Sequence, residues 1–295
     1  MSAAANRMLQ AKTMGEWTKI GALEDIPRLE IWGGAQVKPF VYGRGHRNIL
    51  TADEIAEQTR ILEGFAQYVD EIVAQKRRTP GDDMISYLID VTYSPIGRKL
   101  TDSEINGLVY AMVIGGLETT QYAIAEQAQL LCEDPDLFRT LKADRSKVRH
   151  FTEEALRLRS PTQGLSTRIT TRDEDFQGVR VPKGSFLHLR WAAGNIDPTE
   201  WDCPGELRLD RKGVTRHLAF SQGIRSCPGS GISRQEQHMA WQCLLERLDS
   251  LAYAPGNSFE HQPGIMLGLL RLDLTFTKAS AAKLFPDRTT GEPVR

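Results

Sequence analysis

The chain has little of what marks several common protein classes. Its 295 residues include only four cysteines, Cys132, Cys203, Cys227 and Cys243. They are widely spaced with no C-x-x-C pair, which argues against a disulfide framework and against a structural zinc. Neither charge is in excess: 37 Lys and Arg face 38 Asp and Glu, for a formal net charge of -1. The basic footprint of a nucleic-acid binder is therefore missing. There is no low-complexity tract, block of like charge or internal repeat. The opening "MSAAANRMLQAKTMGEW" lacks the apolar stretch of a signal peptide, and the longest apolar run, "GLVYAMVIGGL", is too short to cross a bilayer and continues into Glu118. These absences predict a cytoplasmic protein with no membrane anchor and no nucleic-acid partner. At 40% hydrophobic and 25% charged residues, the chain can bury a large core as one big domain or two ordinary ones.

What is present reads first as helix. Thr51 and Glu54 form a capping box ahead of a helical apolar pattern that stops at "TPGDD", and the shorter helix "DDMISYLIDV" follows. A second box, Thr101 with Glu104, opens what the pattern predicts to be one long, largely buried helix reaching about Cys132, a rod of roughly 45 Å. Its middle, "VIGGLETTQ", sets Gly115 and Gly116 beside Glu118, Thr119 and Thr120. Paired glycines weaken a helix, and a hydroxyl bonded back to the carbonyl one turn earlier bends it. Taken alone, such a kink serves close helix packing as readily as chemistry.

Two more helices, "DPDLFRTLKADR" and "SKVRHFTEEALRLRSP", place Glu154 and Arg157 on one face. By spacing alone they are an ordinary i,i+3 ion pair. From Gly164 to Arg190 the pattern changes to short alternating strands with turns at Gln177–Gly178 and Lys183–Gly184, predicting a small antiparallel sheet. A meandering loop, "GNIDPTEWDCPGELRLDRKG", leads to "HLAFSQGIRSCPGSG" and to an amphipathic helix, "ISRQEQHMAWQCLLERLDSL". The segment "GIMLGLLRLDLTFT" reads as a further hairpin before a polar tail.

Cys227 sits among Gly223, Arg225, Pro228, Gly229 and Gly231. Glycines let a backbone approach another group closely, and an arginine favours a thiolate. A nucleophilic role would call for a histidine such as His217 or His238, but no local hydrolase signature is present. A redox role would call for a resolving cysteine, and none is near. A single thiolate suits a haem iron, whereas a buried structural thiol has no need of such a loop. Read as a dinucleotide fingerprint, "GSGISR" lacks its third glycine and its preceding strand.

"FSQGIRSCPG", Phe220 to Gly229, resembles the F-x-x-G-x-R-x-C-x-G haem-binding loop of the cytochrome P450 family. "EALR", Glu154 to Arg157, is similar to that family's E-x-x-R pair, and "GGLETT", Gly115 to Thr120, to its [AG]-G-x-[DE]-T-[TS] motif in the long central helix. "STRITTRD" and "VPKGSFLHLRWAAGNIDP" resemble the strand region between them and the cysteine loop in soluble bacterial members.

The resemblance implies a mainly α fold with small antiparallel β-sheets, an α+β cytochrome P450 fold. It implies one haem-thiolate domain over residues 1–280 with a polar tail at 281–295. Cys227 would be the axial thiolate of haem b, with loop amides bonded to its sulfur. Arg225 and Arg168 would face the haem propionates, Phe220 would shield the sulfur, and Gly223 and Gly229 would let the loop approach. Glu118 and Thr119 would be the distal acid–alcohol pair that delivers protons. Ala111, Ile114, Gly115, Gly164 and Leu165 would border the substrate, and Glu154 with Arg157 would be a buried structural pair beneath the loop.

Two departures from the family pattern stand out. Where members offer an arginine to complete the Glu–Arg network, the aligned residue here is Glu206, with Arg208 and Arg211 as possible substitutes. The family's N-terminal helices and sheet are also expected to be missing.

The implied reaction is insertion of one oxygen atom from O2 into a small apolar molecule. A separate ferredoxin-type donor and its reductase would supply the electrons, since no flavin or nicotinamide motif is visible. Peroxide-driven haem-thiolate chemistry and a non-catalytic haem-binding remnant are the rival expectations.

Overall fold

The computed structural model describes residues 26–42, 50–164, 167–261 and 266–279. Helix α1 (Ile26–Tyr42) is followed by α2 (Ala52–Arg78) and the short α3 (Met84–Asp90). A two-stranded ribbon, β1 (Thr92–Tyr93) with β2 (Arg98–Lys99), leads to α4 (Asp102–Leu117) and α5 (Thr119–Glu133). Both expected capping boxes form: Thr51 and Thr101 each accept from the backbone of Glu54 and Glu104, whose carboxylates take the cap residues' N–H groups at 2.9 and 2.8 Å. Each box satisfies two otherwise orphaned donors.

The expected single rod is thus two helices. Glu118, at φ -106° and ψ -42°, separates them, and the Thr119 hydroxyl donates to the carbonyl of Gly115 at 2.7 Å. That carbonyl is drawn from the helical ladder, the mechanism the glycine–threonine pattern suggested. The break also marks a boundary in packing. Residues up to Val113 belong to a cluster in which Leu29, Trp32, Phe65, Val69, Ile85 and Ile105 bury the faces of α1 to α4. Residues from Ile124 onward belong to a second cluster.

That second core joins α5 to α6 (Pro135–Ala143), α7 (Val148–Leu158) and α9 (Ser230–Arg247). Leu131, Leu141, Val148, Phe151, Trp241 and Leu245 are completely inaccessible there, each burial stabilising by about 1.5–3 kcal/mol. A four-residue α1–α2 aromatic group was not expected from the sequence: Trp32 packs on Phe65 and Tyr68, with the Arg28 guanidinium 4.7 Å above the indole.

The small sheets are all antiparallel pairs. β3 (Thr167–Ile169) pairs with β6 (Phe186–His188), and β4 (Glu174–Phe176) with β5 (Val179–Val181). Gln177 and Gly178 at the β4–β5 turn both have positive φ, as does Gly184 in the next turn. After the one-and-a-half-turn α8 (Trp191–Asn195), the meander and three 3-10 turns lead into α9.

Two expectations at the C-terminal end are corrected. The helix stops at Arg247, because Leu248 to Tyr253 form β7; and "GIMLGLLRLDLTFT" is not a hairpin in itself, since its strand β8 (Leu274–Lys278) pairs with β7. Leu248 and Leu251 of β7 are both buried in the second core. That core, invisible to local pattern, takes the segment from helix to strand. The tail at 281–295 lies outside the described residues, and no described helix is long and apolar enough to cross a membrane.

Candidate functional site

The Cys227 loop is closed by short-range backbone bonds. Ser221 N donates to Leu218 O, Ser226 N to Gly223 O, and Cys227 N to Phe220 O at 2.8 Å. Gly223 sits at φ +71°, where a side chain would be strained. Ser221 sits at φ +57° and ψ -173°, a region that suits glycine almost alone. The loop delivers Cys227 exposed, with Ile224 fully exposed at its tip and Arg225 exposed beside it. A Cβ added at Gly229 would make only ordinary contact with Cys227 Sγ, at 3.9 Å.

Beneath the loop lies a charged buttress that sequence reasoning missed. Glu153 accepts from Arg234 Nε at 2.6 Å and meets His217 Nε2 at 3.0 Å. His217 Nδ1 accepts the amide of Ala219, so the ring proton sits on Nε2 and points at Glu153. Burial would raise the Glu153 carboxyl, but the His217 and Arg234 hydrogen bonds prevail and hold it down at about 2. Arg234 also stacks 4.5 Å over Phe220, whose ring packs against His217. The imidazole is therefore committed to the buttress, and His238 is engaged with Thr152 at 2.8 Å. Neither of the two histidines weighed as partners for a nucleophilic Cys227 serves that role here. The available signal was the pair Glu153–Glu154 next to E-x-x-R, which spacing alone does not distinguish from a solvated face.

Glu154 and Arg157 are not a solvated pair: both side chains are inaccessible, joined at 2.8 and 3.1 Å. Arg157 spends its remaining donors on the carbonyls of Asn195, Pro204 and Glu206 at 2.9, 2.6 and 2.9 Å, so all five N–H groups are used. Arg211 completes the network, with Nε 2.7 Å from Glu154 Oε1 and its terminal nitrogens on the carbonyls of Asp202, Cys203 and Glu206. Of the two arginines expected to substitute, Arg211 supplies the side chain, Arg208 gives only its amide to Glu154 at 3.0 Å, and Glu206 accepts with its backbone carbonyl. Asn195 Oδ1 accepts the amide of Leu218, tying this network to the cysteine loop.

Glu118 and Thr119 sit half-buried at the helix break. Tyr122 donates its hydroxyl to Glu118 at 2.9 Å. Leu108, Ala111 and Gly115 are exposed at helical spacing on one side of α4, an apolar strip that ends at Thr119. Gly164 is buried, and a Cβ there would stand 2.5 Å from the carbonyl of Leu189, so its lack of a side chain is a packing requirement. Arg168 lies exposed on β3 opposite Leu187. Leu165 and the side chain of Ile114 lie outside the described residues.

Cys227 stands apart from other ligating side chains: among the described residues no three His, Cys, Asp or Glu cluster to hold an ion. A metal bound through one protein thiolate, its remaining ligands supplied by a prosthetic group, fits this donor chemistry. The exposed sulfur, the apolar tip and the glycine-built approach fit a broad, flat group.

Residues 49–276 match the family model Cytochrome P450. The chain is 33% identical over 223 residues to cytochrome P450 105C1 of a Streptomyces species, covering 76% of this chain and 53% of the relative. It is 28% identical over 232 residues to the cytochrome P450 monooxygenase PikC of Streptomyces venezuelae, covering 78% and 55%. Among solved structures, P450BioI in complex with an acyl carrier protein ligated to hexadec-9Z-enoic acid superposes with a TM-score of 0.83 at 26% identity. That match covers 94% of this chain and 69% of the other. The chain thus spans about half the length of the curated relatives it matches.

Proposed function

Since this chain belongs to the cytochrome P450 family, we propose that it carries out haem-thiolate monooxygenation, inserting one oxygen atom from O2 into a small apolar substrate. The observation that carries the reading is the closed, glycine-built loop that presents Cys227 alone and exposed. The broken helix with its acid–alcohol pair supports it. A relative named as a monooxygenase supports the reaction class.

Cys227 would hold the iron of haem b through its thiolate, and Arg225 and Arg168 would supply guanidinium groups for the propionates. When bound, the haem would supply the redox centre for oxygen activation, made electron-rich by the thiolate. Phe220, braced by Arg234 and His217, would pack on the sulfur's side of the bound group. Thr119 has its hydroxyl proton committed to Gly115 O, so its oxygen presents lone pairs that hold a donor molecule in the break. Glu118 is the group that takes up and releases protons there, with Tyr122 orienting its carboxylate. Leu108, Ala111 and Gly115 form an apolar strip along which substrate lies, with Ile114, Gly164 and Leu165 as further borders. Electrons come from a separate ferredoxin-type donor and its reductase in the cytoplasm. Residues 1–280 act as one domain.

The test is to purify the chain with haem, reduce it, add carbon monoxide and record the difference spectrum. A thiolate-type carbonyl band that is lost in Cys227→Ala supports the assignment. Product formation with a ferredoxin system, sharply reduced in Thr119→Ala, supports the distal role; an unchanged yield in that variant contradicts it.

A further inference from the structure

Thr120 follows the distal pair in sequence, and Ser233 lies in the first turn of α9, directly after the Cys227 loop. Their hydroxyls meet at 2.9 Å across 113 positions of sequence. Neither helix start has a side-chain cap of its own: the cap positions, Glu118 for α5 and Gly229 for α9, make no capping hydrogen bond. The two N-termini are instead bonded to each other.

This bond is joined to a network that runs far inside the protein. Trp241 Nε1 donates to Gln127 Oε1 at 2.6 Å, and an indole N–H can only donate. Gln127 therefore accepts with its carbonyl and donates with its amide, to Gln237 Oε1. Gln237 Nε2 in turn donates to both the carbonyl and the hydroxyl of Ser233 at 3.1 Å. The Ser233 hydroxyl also meets that of Thr120, a bond in which either oxygen can donate, and the Thr120 hydroxyl faces the Glu236 carboxyl. Trp241, Gln127, Gln237 and Thr120 are all buried, and a buried network in which each member is satisfied is rigid.

We propose that the Thr120–Ser233 hydrogen bond is a positioning link that sets how the Cys227 loop stands relative to the Glu118–Thr119 break. Thr120 and Ser233 are positioning residues; neither contacts the reacting atoms. The proposal rests on the reading of Cys227 as the haem ligand and of Glu118–Thr119 as the distal pair.

Four variants test it: Thr120→Val, Ser233→Ala, the two combined, and Thr120→Ser. In urea unfolding without added haem, each of the first two is expected to lower the folded-to-unfolded ratio by about fivefold. The double variant is expected to lose no more than one single variant. Independent losses that multiply would show that no link exists and overturn the proposal. With haem bound, at a temperature where circular dichroism shows every variant folded, the fraction of haem giving the thiolate-type carbonyl band is expected to fall about threefold in Thr120→Val and in Ser233→Ala. Thr120→Ser, which keeps the hydroxyl, is expected to restore it. A band indifferent to both variants would overturn the positioning role. A wild-type protein that binds haem without giving the band would overturn the reading of Cys227 and this proposal with it, a result distinct from the other.

Discussion

Arg211 and Glu154 meet at 2.7 Å with side chains 5% and 0% exposed, and this contact closes a three-residue ionic network under the cysteine loop. Arg157 has both terminal nitrogens and Nε fully spent, and its guanidinium stacks 5.3 Å over Trp201. Such a network has little to gain from Coulomb attraction after its desolvation, but removing one member strands the others.

Arg157→Met is therefore expected to destabilise the fold by about 3 kcal/mol, because buried Glu154 keeps only Arg211 as a cationic partner and the carbonyls of Asn195 and Pro204 lose the Arg157 donor. The paired change Glu154→Gln with Arg157→Met is expected to cost less than the sum of the two single changes. Urea denaturation of the four proteins reads both numbers; simple additivity would contradict the coupling.

Ser221 occupies backbone space that suits glycine, at φ +57° and ψ -173°. Ser221→Gly is expected to stabilise the chain by roughly 1 kcal/mol, since such strain costs on the order of 1–3 kcal/mol and glycine's greater unfolded-state freedom offsets part of it. The contrary substitution, Gly164→Ala, places a Cβ against backbone at 2.5 Å and is expected to cost about 1–3 kcal/mol. Thermal unfolding of the two variants should move in opposite directions.

Two carboxyls, the buried Glu153 and the half-buried Glu236, give opposite pH slopes. Glu153 titrates at about 2 in the folded protein against an ordinary 4.5, so the stability it contributes is fully present above about 4.5 and is lost as pH falls toward 2. Glu236 titrates at about 7, raised by burial and only partly offset by Thr120. The folded state holds that proton more tightly, so stability declines as pH rises from about 4.5 to 7. Glu236→Gln is expected to flatten the second slope and raise stability at pH 8, while Glu153→Gln flattens the first. Denaturation midpoints across this range check both signs.

Much of the architecture was legible because it is written locally. The capping boxes at Thr51 and Thr101, the Gly115–Thr119 back-bond and the turn at Gln177–Gly178 all depend on residues a few positions apart. The E-x-x-R pair and the cysteine loop were legible as motifs. Whatever depends on distant partners was not. Leu248 to Leu251 continue a helical pattern, yet fall in strand β7 because β8 returns from the C-terminal side. The sequence offered both Arg208 and Arg211 for the Glu–Arg network; that Arg211 is the one whose side chain reaches Glu154 is decided by the meander's path. Glu153, His217 and Arg234 come from three separate segments. The polar face of α9, with Gln237 buried beside Ala240 and Trp241, reads as ordinary amphipathic helix until Gln127 is placed opposite it.

The most direct test of the central claim is the carbon monoxide difference spectrum of the reduced, haem-reconstituted chain, with Cys227→Ala alongside. A thiolate-type carbonyl band in the wild type that vanishes in Cys227→Ala is the result expected if this loop holds the iron. Haem that binds equally in both proteins without that band, or a wild-type chain that takes up no haem, would contradict it.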